Sequence, residues 1–176
     1  ANASTTGFKE EQAIFQQFLQ PGPNGQTVSY VRDVGTIRDL KQGDLTTTSN
    51  SLDAAIDGGG YFSISTQDGI RYTRDGRFQL SASGQLVTSQ GDPVADSAGN
   101  PINIPRNAHD IKITRDGTIS TELGPVGKLG IASFANPQQL VPSANGLFVT
   151  DETPAPDTTS SVHQGMLESS NVQPIT

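Results

Sequence analysis

The stretch GYFSISTQDGIRYTRDGRFQLSASGQLVT, residues 60–88, alternates apolar and polar residues in short runs separated by turn signals. Tyr61 to Ser65 alternates with period two, which places Phe62 on one face of a strand and its neighbours on the other. Gln67-Asp68-Gly69 is a tight-turn signal, and Ile70 to Thr73 is the returning strand. Arg74-Asp75-Gly76 makes a second turn, Arg77 to Leu80 a further strand, and Ser83-Gly84 leads into Gln85 to Thr88 before Gly91. Strands this short, with turn residues every eight or so positions, predict a sandwich or barrel. A parallel sheet needs helical crossovers, and the spacing leaves no room for them. The expected fold is therefore mainly β, one compact antiparallel domain with extended or short-helical arms at its two ends.

The same pattern extends outward. Upstream lie Val28 to Val34 and then Leu52, Asp53 to Ile56, followed by Gly58-Gly59-Gly60, which suits close strand packing or a bulge. Downstream lie Ile102 to Ile104, Asp110 to Thr114, Asp116-Gly117, Thr118 to Thr121, a longer strand over Val126 to Phe134, and Asn145-Gly146 turning into Leu147 to Thr150. Phe62 and Phe78 sit on alternating strands beside turns and are expected in the core. Tyr72-Thr73-Arg74-Asp75-Gly76 is echoed by Ile113-Thr114-Arg115-Asp116-Gly117, two similar strand-to-turn junctions.

The ends differ. Residues 10–19 carry Ile14, Phe15, Phe18 and Leu19 at helical spacing before Pro21-Gly22-Pro23 stops any helix, so this segment reads as a short helix or an extended arm. Residues 151–161 are polar, acidic and Pro-bearing, the character of an exposed loop or mobile connector. This gives an arm over 1–27, a β-rich core over 28–150, a polar connector over 151–162 and a final strand over 163–176. The chain reads as a piece cut from a longer protein.

Composition narrows the function classes. The net charge is −7, with Lys and Arg scattered singly, which argues against binding nucleic acid. There is no Cys, so disulfides and thiolate-held zinc fall away. No apolar run approaches the ~20 residues needed to cross a bilayer. The two histidines, His109 and His163, sit in polar surroundings and form no metal-ligand pair. There is no G-x-S-x-G elbow, and Asp53 with Asp57 reads as turn acids rather than a catalytic carboxylate pair. Asp68, Asp75 and Asp116 each precede Gly, as turns demand, and do not fit a calcium loop. The sequence points to no catalytic, cofactor or metal site and no small-molecule substrate.

Five blocks, in order, resemble one family. Asn2, Thr5, Gly7, Phe8 and Lys9 lie in ANASTTGFK. Residues 43–53, GDLTTTSNSLD, end in Leu52 and Asp53. Gly60-Tyr61-Phe62 and Tyr72-Thr73-Arg74-Asp75-Gly76 follow, then Leu86-Val87-Thr88 and Gly91. Leu167, Glu168, Ser170, Asn171 and Val172 close the series as LESSNV. This ordered set resembles the flagellar rod and hook proteins, and Gly124 to Leu129 with the LESSNV ending resembles the proximal-rod branch more than the distal rod or the hook. The resemblance implies a structural subunit of the basal-body rod, exported by the flagellar type III system and spanning the periplasm. Its partners would be copies of itself and other rod subunits, without enzymatic activity or cofactor. It also implies long axial helices outside residues 1–176 that pack around the export channel. The first and last blocks would then serve subunit contact. A secreted β-rich module that recognises glycans is the rival class, and it would need an exposed aromatic cluster.

Overall fold

The computed structural model describes residues 11–21 and 27–171, with side chains described from Asp39 to Asn171. Strands dominate. In chain order they are β1 (Glu11–Pro21), β2 (Thr27–Arg38), β3 (Leu45–Thr47), β4 (Ala54–Asp57), β5 (Tyr61–Thr66), β6 (Gly69–Thr73), β7 (Phe78–Leu80), β8 (Leu86–Thr88), β9 (Ile111–Ile113), β10 (Thr118–Thr121), β11 (Gly124–Lys128), β12 (Ile131–Ser133), β13 (Val141–Pro142), β14 (Phe148–Val149), β15 (Ala155–Pro156), β16 (Ser161–Gln164) and β17 (Met166–Glu168). Helical turns among the described residues are two three-residue 3-10 turns, at Pro137–Gln139 and Ala144–Gly146.

Residues 11–19 take the extended alternative: β1 pairs antiparallel with β2 along nearly its whole length, with one register shift between Ala13 and Phe15. A helix this short is marginal on its own, and a β-branched partner such as TVSYVRDVGTIR offers a full ladder instead.

The centre of the molecule is a six-stranded antiparallel sheet in the order β13-β14-β6-β5-β12-β15. A three-stranded sheet β11-β10-β9 and the pairs β16-β4, β17-β3 and β7-β8 surround it, and no barrel closes among the described residues. The β5–β6 hairpin turns at Asp68-Gly69, where Gly69 has φ 111° and the Thr66 hydroxyl donates to the Gly69 carbonyl at 2.7 Å. Pro142 and Pro156 lie on the two edge strands of the central sheet, where a missing N–H blocks further pairing.

The alternation of β5 feeds two apolar clusters. Phe62 and Ile64 enter the larger one, with Ile56, Phe78, Leu86, Val94, Ile119, Leu129 and Val162. Tyr61 points to the other, with Tyr72, Ala132, Phe134, Leu140 and Phe148. Aromatic contacts in both clusters are edge-on: Phe62 to Phe78 at 5.0 Å and Tyr72 to Phe134 at 4.8 Å between ring centroids. Such pairs contribute roughly 0.5–1.5 kcal/mol beyond the area they bury.

Two local expectations are corrected. The stretch Val126 to Phe134 is not one strand. It breaks at Leu129-Gly130 between β11 and β12, because Gly130 donates to the Ala95 carbonyl at 3.0 Å and a Cβ there would lie 2.6 Å from the Asp96 carbonyl oxygen. The chain passes there from one sheet to the other. Gly76 is likewise not in the left-handed conformation that an Asp-Gly turn would require. It is glycine because its backbone abuts β4: a Cβ would overlap the Ala54 carbonyl oxygen, and Ala54 donates to the Gly76 carbonyl at 3.0 Å.

Phe62 is fully buried and Phe78 is 3% exposed. Phe78→Ala is expected to cost about 3–5 kcal/mol through the lost transfer energy and the cavity left against Phe62. Chemical denaturation checks this, with a lowered midpoint and an unchanged slope.

Candidate functional site

The junction where the chain enters and leaves the β domain is organised by one buried cation. Arg74 follows directly on β6, and only 3% of its side chain is exposed. Its Nε donates to Glu168 Oε2 at 2.8 Å, and its Nη2 lies 2.8 Å from the same oxygen. Nη1 donates to the carbonyls of Gly58, at 2.6 Å, and Gly60, and Nη2 donates to the Ile56 carbonyl at 3.0 Å. The guanidinium carbon stands 5.8 Å from the centroid of the Tyr61 ring. An unpaired charge at this depth would be strongly unfavourable, and the planar fork of donors meets a carboxylate and three carbonyls at once.

Glu168, on β17, is 94 residues away in sequence and 1% exposed. Its second oxygen, Oε1, accepts from the Gly43 backbone N–H at 3.0 Å. Around this pair the incoming and outgoing segments are laced together. Thr46 pairs with Leu167 in the β3–β17 ladder, Ser169 donates to the Asp44 carbonyl at 2.8 Å, and the Asn171 amide donates to the carbonyls of Asp39 and Lys41 at 2.7 and 3.0 Å. Leu167 and Ser170 are half-buried. Residues 39–47 and 165–171 thus lie together on one side of the domain.

The motif residues in the middle of the chain support the junction from below. Gly60 is buried, and a Cβ there would lie 2.5 Å from Ile131 Cγ2 and from Asp157 Oδ2. Leu52 packs against the larger core. Asp53 is buried; its Oδ2 accepts from the Thr48 hydroxyl at 2.7 Å, while its Oδ1 has no hydrogen-bond partner among the described residues. Asp75 is half-buried; burial raises its pKa above the ordinary carboxylate value, and the Arg77 N–H, 3.1 Å from Oδ1, offsets this in part. Asn2, Thr5, Gly7, Phe8, Lys9 and Val172 lie outside the described residues.

The sequence reads Arg74-Asp75-Gly76 as a turn within a core or turn motif and does not reveal the buried ion pair. A usable signal is present: three glycines at 58–60 leave carbonyls accessible just ahead of the β5–β6 hairpin, whose returning strand leads directly into Arg74. Gln164 was also missed. Its amide nitrogen donates to the Ser51 and Ile111 carbonyls at 2.8 and 2.7 Å, and its oxygen accepts from Ile113 N–H at 3.1 Å.

The residues examined for chemistry are dispersed. His109 is exposed, and His163 stands 3.8 Å from Asp57 on the pair β16–β4. No group of three or more His, Cys, Asp or Glu among the described residues could hold a metal ion. An open groove of about 300 Å³ beside Ile70, Ile131 and Pro156 contains no histidine that could serve a nucleophile. Every aromatic side chain between residues 39 and 171 is buried. No helix among the described residues is long and apolar enough to cross a membrane.

Comparison with known proteins gives this arrangement a context. The family profile described as "Flagellar hook protein FlgE/F/G D1 domain" matches residues 55–121. A flagellar basal-body rod protein FlgF of Caulobacter vibrioides is 37% identical, covering 99% of this chain and 74% of that protein. Rod proteins FlgG of Buchnera aphidicola and Bacillus subtilis are 36% and 33% identical, each covering 98% of this chain and 76% of the relative.

Two outcomes are expected. Removing one member of the ion pair, by Arg74→Met or Glu168→Leu, costs about 3–5 kcal/mol, and the double variant costs less than the sum of the two; a double-mutant cycle by thermal or chemical denaturation reads this directly. Asp75 gains stability only when protonated, so its contribution is present below the ordinary carboxylate range and is lost as pH rises through its raised pKa. Asp75→Asn is therefore more stable than the parent at pH 7, and the gap closes as pH falls through the raised pKa towards the ordinary carboxylate value of about 4. Melting curves at a series of pH values check the sign.

Proposed function

The chain belongs to the flagellar basal-body rod protein family, and on that premise we propose that its β domain is held onto the rod through the junction built on Arg74 and Glu168. The protein is a structural subunit of the rod and resides in the flagellar basal body. The observation that carries the reading is the convergence of residues 39–47 and 165–171 on one side of the domain, locked by the buried ion pair. A domain that leaves an axial shaft and returns to it needs both connections on its inner side.

In this role the subunit assembles with copies of itself and with neighbouring rod subunits, transmits torque through the paired connections, and helps enclose the export channel. It carries out no reaction. The burial of every described aromatic side chain supports this over a glycan-binding module, which requires an exposed stacking surface. The proximal-rod assignment rests on Gly124 to Leu129 and on the match to FlgF; a distal-rod role has support from the FlgG relatives of nearly equal identity.

Complementation tests the reading. The whole gene is returned to strains lacking either the proximal or the distal rod protein, and soft-agar swimming and electron microscopy of basal bodies are scored. Restoration of the proximal-rod strain alone is expected, with Arg74→Met giving swimming reduced toward the uncomplemented level. A strain that builds complete rods and swims without the protein would refute the structural role.

A further inference from the structure

The segment 161–171 is bonded to more separate parts of the molecule than its length suggests. Residues of β16 pair with β4 from Ser161 opposite Asp57 to Gln164 opposite Ala54, and residues of β17 pair with β3. These are two-stranded sheets, so β3 and β4 have no other ladder partner among the described residues. Val162 is 2% exposed within the larger core, and its N–H donates to the Arg115 carbonyl at 2.8 Å. Gln164 occupies the gap between Ser51 and β9 as a strand would, meeting two carbonyls and one N–H. Gly165 donates to the Asp53 carbonyl at 2.7 Å and accepts from Thr48 N–H at 2.8 Å. Glu168 neutralises Arg74.

Remove this segment and the remaining domain is left with a buried guanidinium lacking its counter-ion, orphaned backbone groups at Ser51, Ile111 and Ile113, two strands without partners, and a core missing Val162. Each defect is of the kind that costs a substantial part of a domain's net stability. We propose that residues 161–171 form a closing strand that gates the folding of the whole β domain: residues 39–160 bind it in a slot between β3, β4 and β9 and do not adopt the folded state without it.

A chain emerges from its N-terminus first, so the gate defers folding until nearly all of the domain has been delivered. For an exported rod subunit, which is the reading this consequence rests on, deferral keeps the chain threadable. The gate itself concerns only the isolated chain and stands or fails independently of the rod assignment.

Native-state hydrogen exchange on the intact chain is the test. In a gated domain the amides of β16 and β17 open only with the central sheet, so their protection factors agree with those of β5 and β6 within about tenfold. Exchange at 161–168 that is faster by more than about a hundredfold, with β5 and β6 still protected, would overturn the proposal. Values between these limits are decided by Gln164→Ala, which removes the bridging amide and leaves the ion pair in place. Protection falling by the same factor in β5, β6 and β16 supports the gate, and a loss confined to 111–113 and 161–168 overturns it.

Discussion

A guanidinium that cannot reach water constrains the rest of this domain. Arg74 must be met by acceptors along its whole donor edge, and the fold supplies them from three directions: the end of β4 at Ile56, the glycine loop at Gly58 and Gly60, and Glu168. Lysine would not serve, since a point charge cannot satisfy a carboxylate and several carbonyls in one plane. The glycines follow from the same demand. Gly58 sits at φ 132°, a conformation other residues rarely adopt, and Gly60 has no space for a side chain. Tyr61 then follows in sequence and lays its ring against the cation, while Phe62 turns to the opposite cluster. One residue's electrostatics thus accounts for a loop, a strand start and the choice of faces.

The twin sequences Thr73-Arg74-Asp75-Gly76 and Thr114-Arg115-Asp116-Gly117 mark how far local reading reaches. Their alternation and turn residues correctly announce strand ends at both places. Asp116 is an ordinary exposed turn acid: the Thr114 hydroxyl and the Thr118 N–H hold its pKa down at about 2, and Gly117 takes φ 88°. At the first copy the environment is inverted. Arg74 is buried where Arg115 is exposed, Asp75 is pushed upward by burial where Asp116 is pushed downward, and Gly76 is required by contact with β4 and not by a turn. Four identical residues therefore do opposite work, and what differs comes from segments tens of residues away.

The class of fold, the β5–β6 hairpin and the burial of Phe62 and Phe78 were legible because they depend on period-two alternation and turn chemistry within a dozen residues. The junction was not legible from spacing. Glu168 and Gln164 look like polar residues of a closing tail, and their partners at 74, 51, 111 and 113 are set by how the sheets assemble. The split between β11 and β12 was hidden for the same reason, since only the approach of Ala95 and Asp96 to Gly130 breaks an otherwise continuous apolar run. The ordered blocks shared with rod and hook proteins did mark both sides of the junction, because a family motif records tertiary constraints that periodicity cannot express.

A buried ion pair is a poor means of adding stability, since well-packed apolar residues of similar volume often do as well or better. Its advantage lies in geometry. An apolar contact tolerates sliding, whereas Arg74 satisfies its donors in one arrangement of β4, the glycine loop and β17. Glu168 extends that arrangement to Gly43, and Asn171 carries it to Asp39 and Lys41. The incoming and outgoing segments are therefore fixed to each other as well as to the domain. A load on one segment is shared by the other through short polar bonds, and the domain resists twisting about a single covalent link. Positional definition at the junction, more than the depth of the core, is what the buried pair supplies to a domain of modest apolar content.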